Sequence, residues 1–188
     1  MSSERGKLFI LSGPSGAGKG TLRALALSDV KNLVYSISCT TREPRAGETN
    51  GVEYRFISKN DFENKINLNE FLEYANVHGC YYGTLRNDVE RELDAGNDVL
   101  LEIDVQGAEQ VKNILSDAVL IFIMPPSREI LESRLRARGT ESEAVLKIRL
   151  NNAVEEMNKA AGYEHVIIND ELDRAAKELR EIILSYRN

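Results

Sequence analysis

The chain has 188 residues, the length of one domain on the usual range of about 100–200 residues, and its 42% hydrophobic and 29% charged content excludes a disordered chain. Thirty acidic residues against 24 basic ones leave a net charge of −6, a poor field for non-specific nucleic-acid binding. No apolar run approaches the roughly 18 residues of a membrane span, the stretch around Lys7–Leu11 lacks the form of a secretory signal, and Cys39 and Cys80 have no metal-type spacing, so a reduced, cytoplasmic protein without membrane contact is expected.

Lys7–Leu11 predicts a first buried strand. Gly13–Gly20 is glycine-rich, and a helix is expected over Thr21–Leu27. Val34–Ser38 is a short strand candidate, and residues 40–53, with Pro44, Gly47 and Gly51, read as loop and turn. Tyr54–Ile57 predicts a strand, and a helix from about Lys59 carries Phe62 and Ile66. Phe71–Tyr74 and Tyr81–Tyr82 predict short strands, and Asn87–Ala95 a helix stopped by Gly96. Val99–Ile103 is a buried strand, Gly107–Leu115 a helix and Val119–Met124 the next strand. Ser127 is placed to cap a helix running through Arg138, with Gly139 as its stop. A helix over Glu143–Met157, a strand over Val166–Ile168 and a helix over Leu172–Tyr186 complete the chain. Strands alternating with helices imply a mainly parallel sheet covered on both faces. The polar, aromatic stretch from 39 to about 95 breaks that rhythm and reads as an inserted lobe.

The run Gly13-Pro14-Ser15-Gly16-Ala17-Gly18-Lys19-Gly20-Thr21 follows a strand and opens a helix, the setting a phosphate-binding loop requires. Glycines let backbone N–H groups turn inward around a phosphate, and the helix N-terminus adds partial positive charge. Lys19 would reach the β- and γ-phosphates of a nucleoside triphosphate as a point charge. The common form of this loop carries Ser or Thr directly after the lysine, where its hydroxyl meets Mg²⁺. Here Gly20 stands in that place and Thr21 follows. Mg²⁺ is then expected to be held mainly by phosphates and water, with a carboxylate and Thr21 at one remove.

Glu102 and Asp104 lie near the C-terminal edge of the Val99–Ile103 strand. Residues two apart on a strand share a face, and ligands of open parallel sheets bind at the carboxyl ends of strands. The pair could coordinate Mg²⁺ through water or accept hydrogen bonds from a substrate. Fifteen arginines against nine lysines favour bidentate phosphate recognition. Arg42 and Arg45, three apart in a polar loop, could clamp a second phosphate. Arg134 and Arg138, four apart, share a helix face, Arg136 points elsewhere, and Arg149 on the next helix can fold back toward them.

Together these motifs resemble the guanylate kinase family over nearly the whole chain. The resemblance rests on Thr40-Thr-Arg42-Glu-Pro-Arg45-Ala-Gly-Glu-Thr-Asn-Gly51-Val-Glu-Tyr54-Arg-Phe56, Phe71-Leu-Glu73-Tyr, Tyr81-Tyr-Gly-Thr84, Glu102-Ile-Asp104-Val-Gln-Gly107, Arg134-Leu-Arg-Ala-Arg138-Gly and Ile168-Asn169-Asp170. It implies an α/β fold of the P-loop NTPase type, with a parallel-sheet core over 1–37, 96–126 and 160–188. A mixed α/β nucleotide-monophosphate lobe is expected over 38–95 and a helical lid over 127–159. It further implies phosphoryl transfer from Mg·ATP to GMP, giving ADP and GDP, with dGMP left open as an acceptor and a monomer or homo-oligomer as the working form.

By resemblance Arg42, Arg45, Tyr54 and Tyr82 would hold the GMP phosphate. Ser38, Glu73, Thr84 and Asp104 would read the guanine. Lys19, Arg134, Arg138 and Arg149 would attend the ATP phosphates, and Asn169 would lie near the adenine. The chemistry agrees with the guanine assignment: a carboxylate accepts guanine's N1–H and N2–H₂ donors, and a hydroxyl donates to O6. Adenine would leave that carboxylate unpaired, which is costly in a buried site. Glu102 stands where many members carry Asp. His78 and His165 have no nucleophile or metal partner at a recognisable spacing and are read as structural. Cys39 and Cys80 are expected to be buried free thiols, and Leu172, Leu179, Ile182 and Ile183 to be core packing.

Overall fold

The computed structural model describes residues 5–28, 30–77, 79–137 and 143–187. The elements in order are β1 (Leu8–Ser12), α1 (Lys19–Leu27), β2 (Leu33–Tyr35), β3 (Cys39–Thr40), β4 (Arg55–Phe56), α2 (Lys59–Asn67), β5 (Phe71–Val77) and β6 (Cys80–Leu85). They continue with α3 (Arg86–Asp94), β7 (Asp98–Glu102), α4 (Val105–Ile114), β8 (Val119–Met124), α5 (Arg128–Ala137), α6 (Glu143–Asn158), β9 (His165–Ile168) and α7 (Leu172–Ser185). The strands form a five-stranded sheet in the order β2-β7-β1-β8-β9 and a four-stranded sheet in the order β4-β3-β6-β5. In the larger sheet β2 runs parallel to β7, β1 to β8 and β8 to β9. The expected parallel α/β core is therefore present.

The chain divides into two compact units. One comprises Met1–Leu8, Asn32–Leu101 and Gln106–Ala118; the other comprises Phe9–Lys31, Glu102–Val105 and Val119–Asn188.

In the first unit the four-stranded sheet is mixed. β3 runs parallel to β4 and antiparallel to β6, and β5 and β6 form an antiparallel hairpin. Both hairpin strands are longer than the short strands expected from their aromatic residues. Cross-strand pairing carries β5 on through Ala75 and Asn76 to Val77, which pairs with Cys80 at the start of β6. Helix α2 starts at the Ser58 side chain, which accepts the Asp61 N–H at 3.0 Å. Its Phe62 is fully buried, stacked on Phe71 and Tyr81 with centroids 4.3 and 5.2 Å away. Gly83 is required here, because a Cβ at that position would lie 2.9–3.0 Å from the Phe71 and Phe62 rings. The Val34–Ser38 candidate ends as a strand at Tyr35, and Ser38 sits just before β3. Cys39 is a buried free thiol as expected, whereas Cys80 is half-exposed at the hairpin end.

In the second unit β1 is buried at every residue and β8 at all but Met124, as continuous apolar runs in a parallel sheet should be. Helix α7 lays Ala175, Ala176, Leu179 and Ile183 inward. Leu172 does not join them: it is 37% exposed at the first helical position. Its place in the apolar stripe goes to the two alanines one turn further on, where only small side chains are set inward. Helices α5 and α6 pack through Leu131, Leu135, Leu146, Leu150 and Ala153. The Ser127 hydroxyl accepts the Ile130 N–H at 3.2 Å, the expected cap of α5. Arg138 and Gly139, at the expected end of that helix, and His78 lie outside the described residues. His165 Nε2 lies 2.9 Å from the Tyr186 hydroxyl, a structural contact.

Candidate active site

The glycine-rich loop joins β1 to α1 in the second unit. At Gly13 (φ +143°) a Cβ would lie 2.3 Å from the Ile123 carbonyl oxygen, so no other residue fits against β8 there. Gly18 is the N-cap of α1 at φ 92°, with no side-chain cap bond and no acidic residue in the first turn. That leaves the helix N-terminus with N–H groups that no side chain of its own first turn caps. The helix starts at Lys19, two residues before the expected Thr21.

Lys19 folds back over the loop, its Nζ donating to the carbonyl oxygens of Gly13 at 2.6 Å and Pro14 at 3.2 Å. Asn169 is 3% exposed and braces the loop, donating Nδ2–H to the Ala17 carbonyl at 2.7 Å. Arg134 donates to the Asn169 carbonyl at 3.0 Å and lies 3.5 Å from that of Ala17. It therefore reaches the loop, while Arg136 pairs with Glu132 and Glu143 at the surface. Arg149 is half-buried on α6, and Thr21 is exposed on α1.

The acidic strand end comes beside the loop through Ser12. Its hydroxyl donates to the Ile103 carbonyl at 2.8 Å and lies 3.3 Å from that of Asp104. β7 ends at Glu102, so Asp104 lies beyond the strand and the alternation rule does not extend to it. Glu102 Oε2 lies 3.2 Å from Arg23 Nε, and a Cβ built on Gly20 would lie 3.8 and 3.9 Å from the two Glu102 oxygens. Glu156 on α6 faces the same ground. Burial pushes its carboxyl up, Asp104 adds to that, and Lys19 and Lys159 oppose it.

The first unit holds two groupings. In one, Glu73 on β5 pairs across the hairpin with Thr84 on β6. The Thr84 hydroxyl donates to Glu73 Oε1 at 2.6 Å, and Ser38 Oγ lies 3.5 Å from Thr84 Oγ1. All three are buried, with Glu73 only 4% exposed. In the other, Arg42 lies over the Tyr54 ring at 5.5 Å, and Tyr54 meets Tyr82 edge-on at 5.7 Å. Arg45 is exposed.

Glu48 organises this second grouping, a part that motif reading missed. Its Oε1 accepts from Arg42 Nη2 at 2.9 Å and its Oε2 from the Arg45 backbone N–H at 2.7 Å. The Arg42 bond holds the Glu48 carboxyl below its ordinary pKa, and Glu48 in turn raises that of Arg42. The available signal was a carboxylate three and six residues beyond the two arginines in a turn. Asn169 as a brace of the loop and Arg23 as the partner of Glu102 were missed as well. Each rests on a contact far apart in sequence.

A glycine loop between a parallel strand and an uncapped helix, beside an acidic strand end, defines a P-loop nucleotide kinase fold. The family model for guanylate kinase matches residues 5–186. The guanylate kinase of Fusobacterium nucleatum subsp. nucleatum is 51% identical over 178 residues, covering 95% of this chain and 96% of that protein. That of Caldanaerobacter subterraneus subsp. tengcongensis is 48% identical over 184 residues, covering 98% and 89%. A crystal structure of guanylate kinase from Anaplasma phagocytophilum superimposes with a TM-score of 0.83 at 32% identity, covering 99% of this chain and 88% of that one. The chain belongs to the guanylate kinase family, enzymes that phosphorylate GMP at the expense of ATP.

Proposed function

We propose that this chain transfers the γ-phosphoryl group of ATP to GMP by direct in-line displacement. A GMP phosphate oxygen forms the new P–O bond as the bond from the γ-phosphorus to the β–γ bridging oxygen breaks, giving GDP and ADP. No covalent enzyme intermediate and no protein general base are needed, because the attacking oxygen is already anionic. The observation that carries the acceptor assignment is the buried Glu73 carboxylate with Thr84 and Ser38 beside it. It supports guanine reading: Glu73 accepts from N1–H and N2–H₂, and a hydroxyl donates to O6. Asp104 is assigned to the same base. Arg42, Arg45, Tyr54 and Tyr82 take the GMP phosphate, with Arg42 exchanging Glu48 for it.

On the donor side the N–H groups of Gly13–Thr21 cradle the phosphates. Lys19 leaves the Gly13 and Pro14 carbonyls for the β- and γ-oxygens. Arg134, Arg138 and Arg149 neutralise charge on the moving group. Asn169 is assigned to the adenine end while bracing Ala17. Among the described residues no cluster of three or more His, Cys, Asp or Glu could enclose a metal. Glu102 beside Gly20 suits instead a Mg²⁺ that enters with the phosphates and keeps much of its water, with Thr21 at one remove. Mg²⁺, when bound, supplies charge neutralisation on the β- and γ-phosphates.

The proposed division of labour is a core over 1–37, 96–126 and 160–188, a GMP lobe over 38–95 and a lid over 127–159. No helix among the described residues is long and apolar enough to cross a membrane, in keeping with a cytoplasmic enzyme.

The test is a coupled assay of ADP formation from Mg·ATP with GMP, dGMP, AMP, UMP, CMP or dTMP supplied separately. Turnover confined to GMP, with or without dGMP, is expected. Turnover with AMP would overturn the base assignment, and none with any acceptor from folded protein would point to a binding module.

A further inference from the structure

The loop of this chain lacks the hydroxyl that a Ser or Thr after the lysine presents to the cation in the common form. We propose that Glu102 and Arg23 compensate as a pair. The Glu102 carboxylate serves as the chain's oxygen donor toward the divalent cation of the bound nucleotide, through the cation's water, and Arg23 is the positioning residue that holds it there. This rests on the Mg·ATP reading above and adds to it the residues that replace the hydroxyl.

Three observations carry the pairing. First, the space beside Gly20 is faced by a carboxylate. A Cβ there would lie 3.8 Å from Glu102 Oε1 and 3.9 Å from Oε2. The place of the missing side chain is thus next to an anionic oxygen donor. Second, the strand end carries the longer of the two acidic side chains. β7 ends at Glu102 itself, so its extra methylene, relative to Asp, extends the carboxylate away from the strand toward α1. Third, the carboxylate is paired with a cationic side chain of α1. Arg23 stands three residues after Gly20 on α1, one turn along the same side. Its Nε lies 3.2 Å from Oε2, with side-chain exposures of 26% for Arg23 and 21% for Glu102. Oε1, the oxygen nearer Gly20, is not the one in that contact. A carboxylate beside a polyphosphate would repel it without a cation between them; Arg23 offsets that repulsion and narrows the positions Glu102 can take. Groups one step removed from the cation, as Glu102 is when it acts through the cation's water, are worth about 10–100-fold in metal affinity.

The test measures cation binding rather than turnover. Mn²⁺ serves as the probe, its affinity for the complex of protein with adenylyl imidodiphosphate, a non-hydrolysable ATP analogue, read from water-proton relaxation. Glu102→Gln should weaken Mn²⁺ in that complex by about tenfold or more and Arg23→Gln by a smaller factor in the same direction, while analogue binding in EDTA stays at the wild-type level. Gly20→Ser should then restore Mn²⁺ affinity to both. A serine fits there: its Cβ meets only ordinary van der Waals distances, on helical backbone. A merely structural ion pair would not be rescued by a hydroxyl. Wild-type Mn²⁺ affinity in both single variants, or failure of Gly20→Ser to restore it, overturns the inference. The wild type's GMP-dependent ADP formation separates the two levels. If it is present while the variants hold Mn²⁺ normally, only the pairing falls. If it is absent and the analogue does not bind, the Mg·ATP reading falls and takes the pairing with it.

Discussion

Lys19 spends its charge on two loop carbonyls in this structure, so reaching a nucleotide means exchanging neutral acceptors for anionic ones. Lys19→Met removes a donor aimed at developing charge, a loss of about 10²–10³ in kcat. GMP binding, measured by calorimetry, should be unchanged, because its proposed residues other than Asp104 lie in the other compact unit. Glu73 carries the opposite kind of burden. It is buried, and Thr84 donates to it, so a base without matching donors strands its charge. Glu73→Ala should cut the preference for GMP over AMP, as a ratio of kcat/KM, by about 10²-fold or more; an unchanged ratio removes Glu73 from base reading.

Glu156 gives a pH prediction. Burial raises its carboxyl above the ordinary 4.5, so the folded chain holds this proton more tightly than the unfolded one. Stability contributed by the protonated group is present below 4.5 and lost as pH rises through the folded value. Glu156→Gln should therefore melt higher than wild type at pH 7, with the gain vanishing near pH 4. A gain independent of pH would assign the effect to packing.

At the scale of elements, each grouping is held by packing one layer behind it. The Glu73–Thr84 pair sits on the β5–β6 hairpin, against which α2 lays Phe62 in a stack with Phe71 and Tyr81. Phe62→Ala should destabilise the chain by about 3–5 kcal/mol in urea and raise KM for GMP, since Gly83, between Tyr82 and Thr84, rests on that ring. The phosphate loop has its own backing. A Cβ on Gly16 would lie 3.0 and 3.1 Å from Leu131 and Leu135 of α5, which pack on Leu146, Leu150 and Ala153 of α6. Helix α5 of the proposed lid thus meets the loop through apolar side chains, while Arg134 reaches it through hydrogen bonds.

At the scale of the molecule, the base and acceptor-phosphate groupings lie in one compact unit and the donor loop in the other. Each nucleotide should then stabilise the protein without its partner. A ligand at about 100 times its Kd adds about 2.7 kcal/mol, and about 2–4 °C per kcal/mol is usual for chains of this size. GMP alone should raise Tm by about 5–10 °C in a thermal shift assay, and AMP at the same concentration should not. Equal shifts would mean that the acceptor unit does not read the base.

The local chemistry was legible along the chain. β1 and β8 are continuous apolar runs, the glycines and Lys19 mark the loop, and Ser127 announces α5, because each signal lies within a few residues. The alternation of strands and helices likewise forecast the parallel sheet. The Glu73–Thr84 bond, the Asn169 brace across 152 positions and the Arg23–Glu102 pair were not legible. Each depends on which strands become neighbours and in what register. The hairpin extends past its aromatic residues because cross-strand pairing continues to Val77 and Cys80. Sequence alone determined the loop, the elements and the residue types able to meet phosphates and guanine. Only the tertiary structure decided which carboxylate faces Gly20, which hydroxyl faces Glu73 and which carbonyls hold Lys19, because side-chain contacts between distant segments are fixed by packing and carry no local pattern.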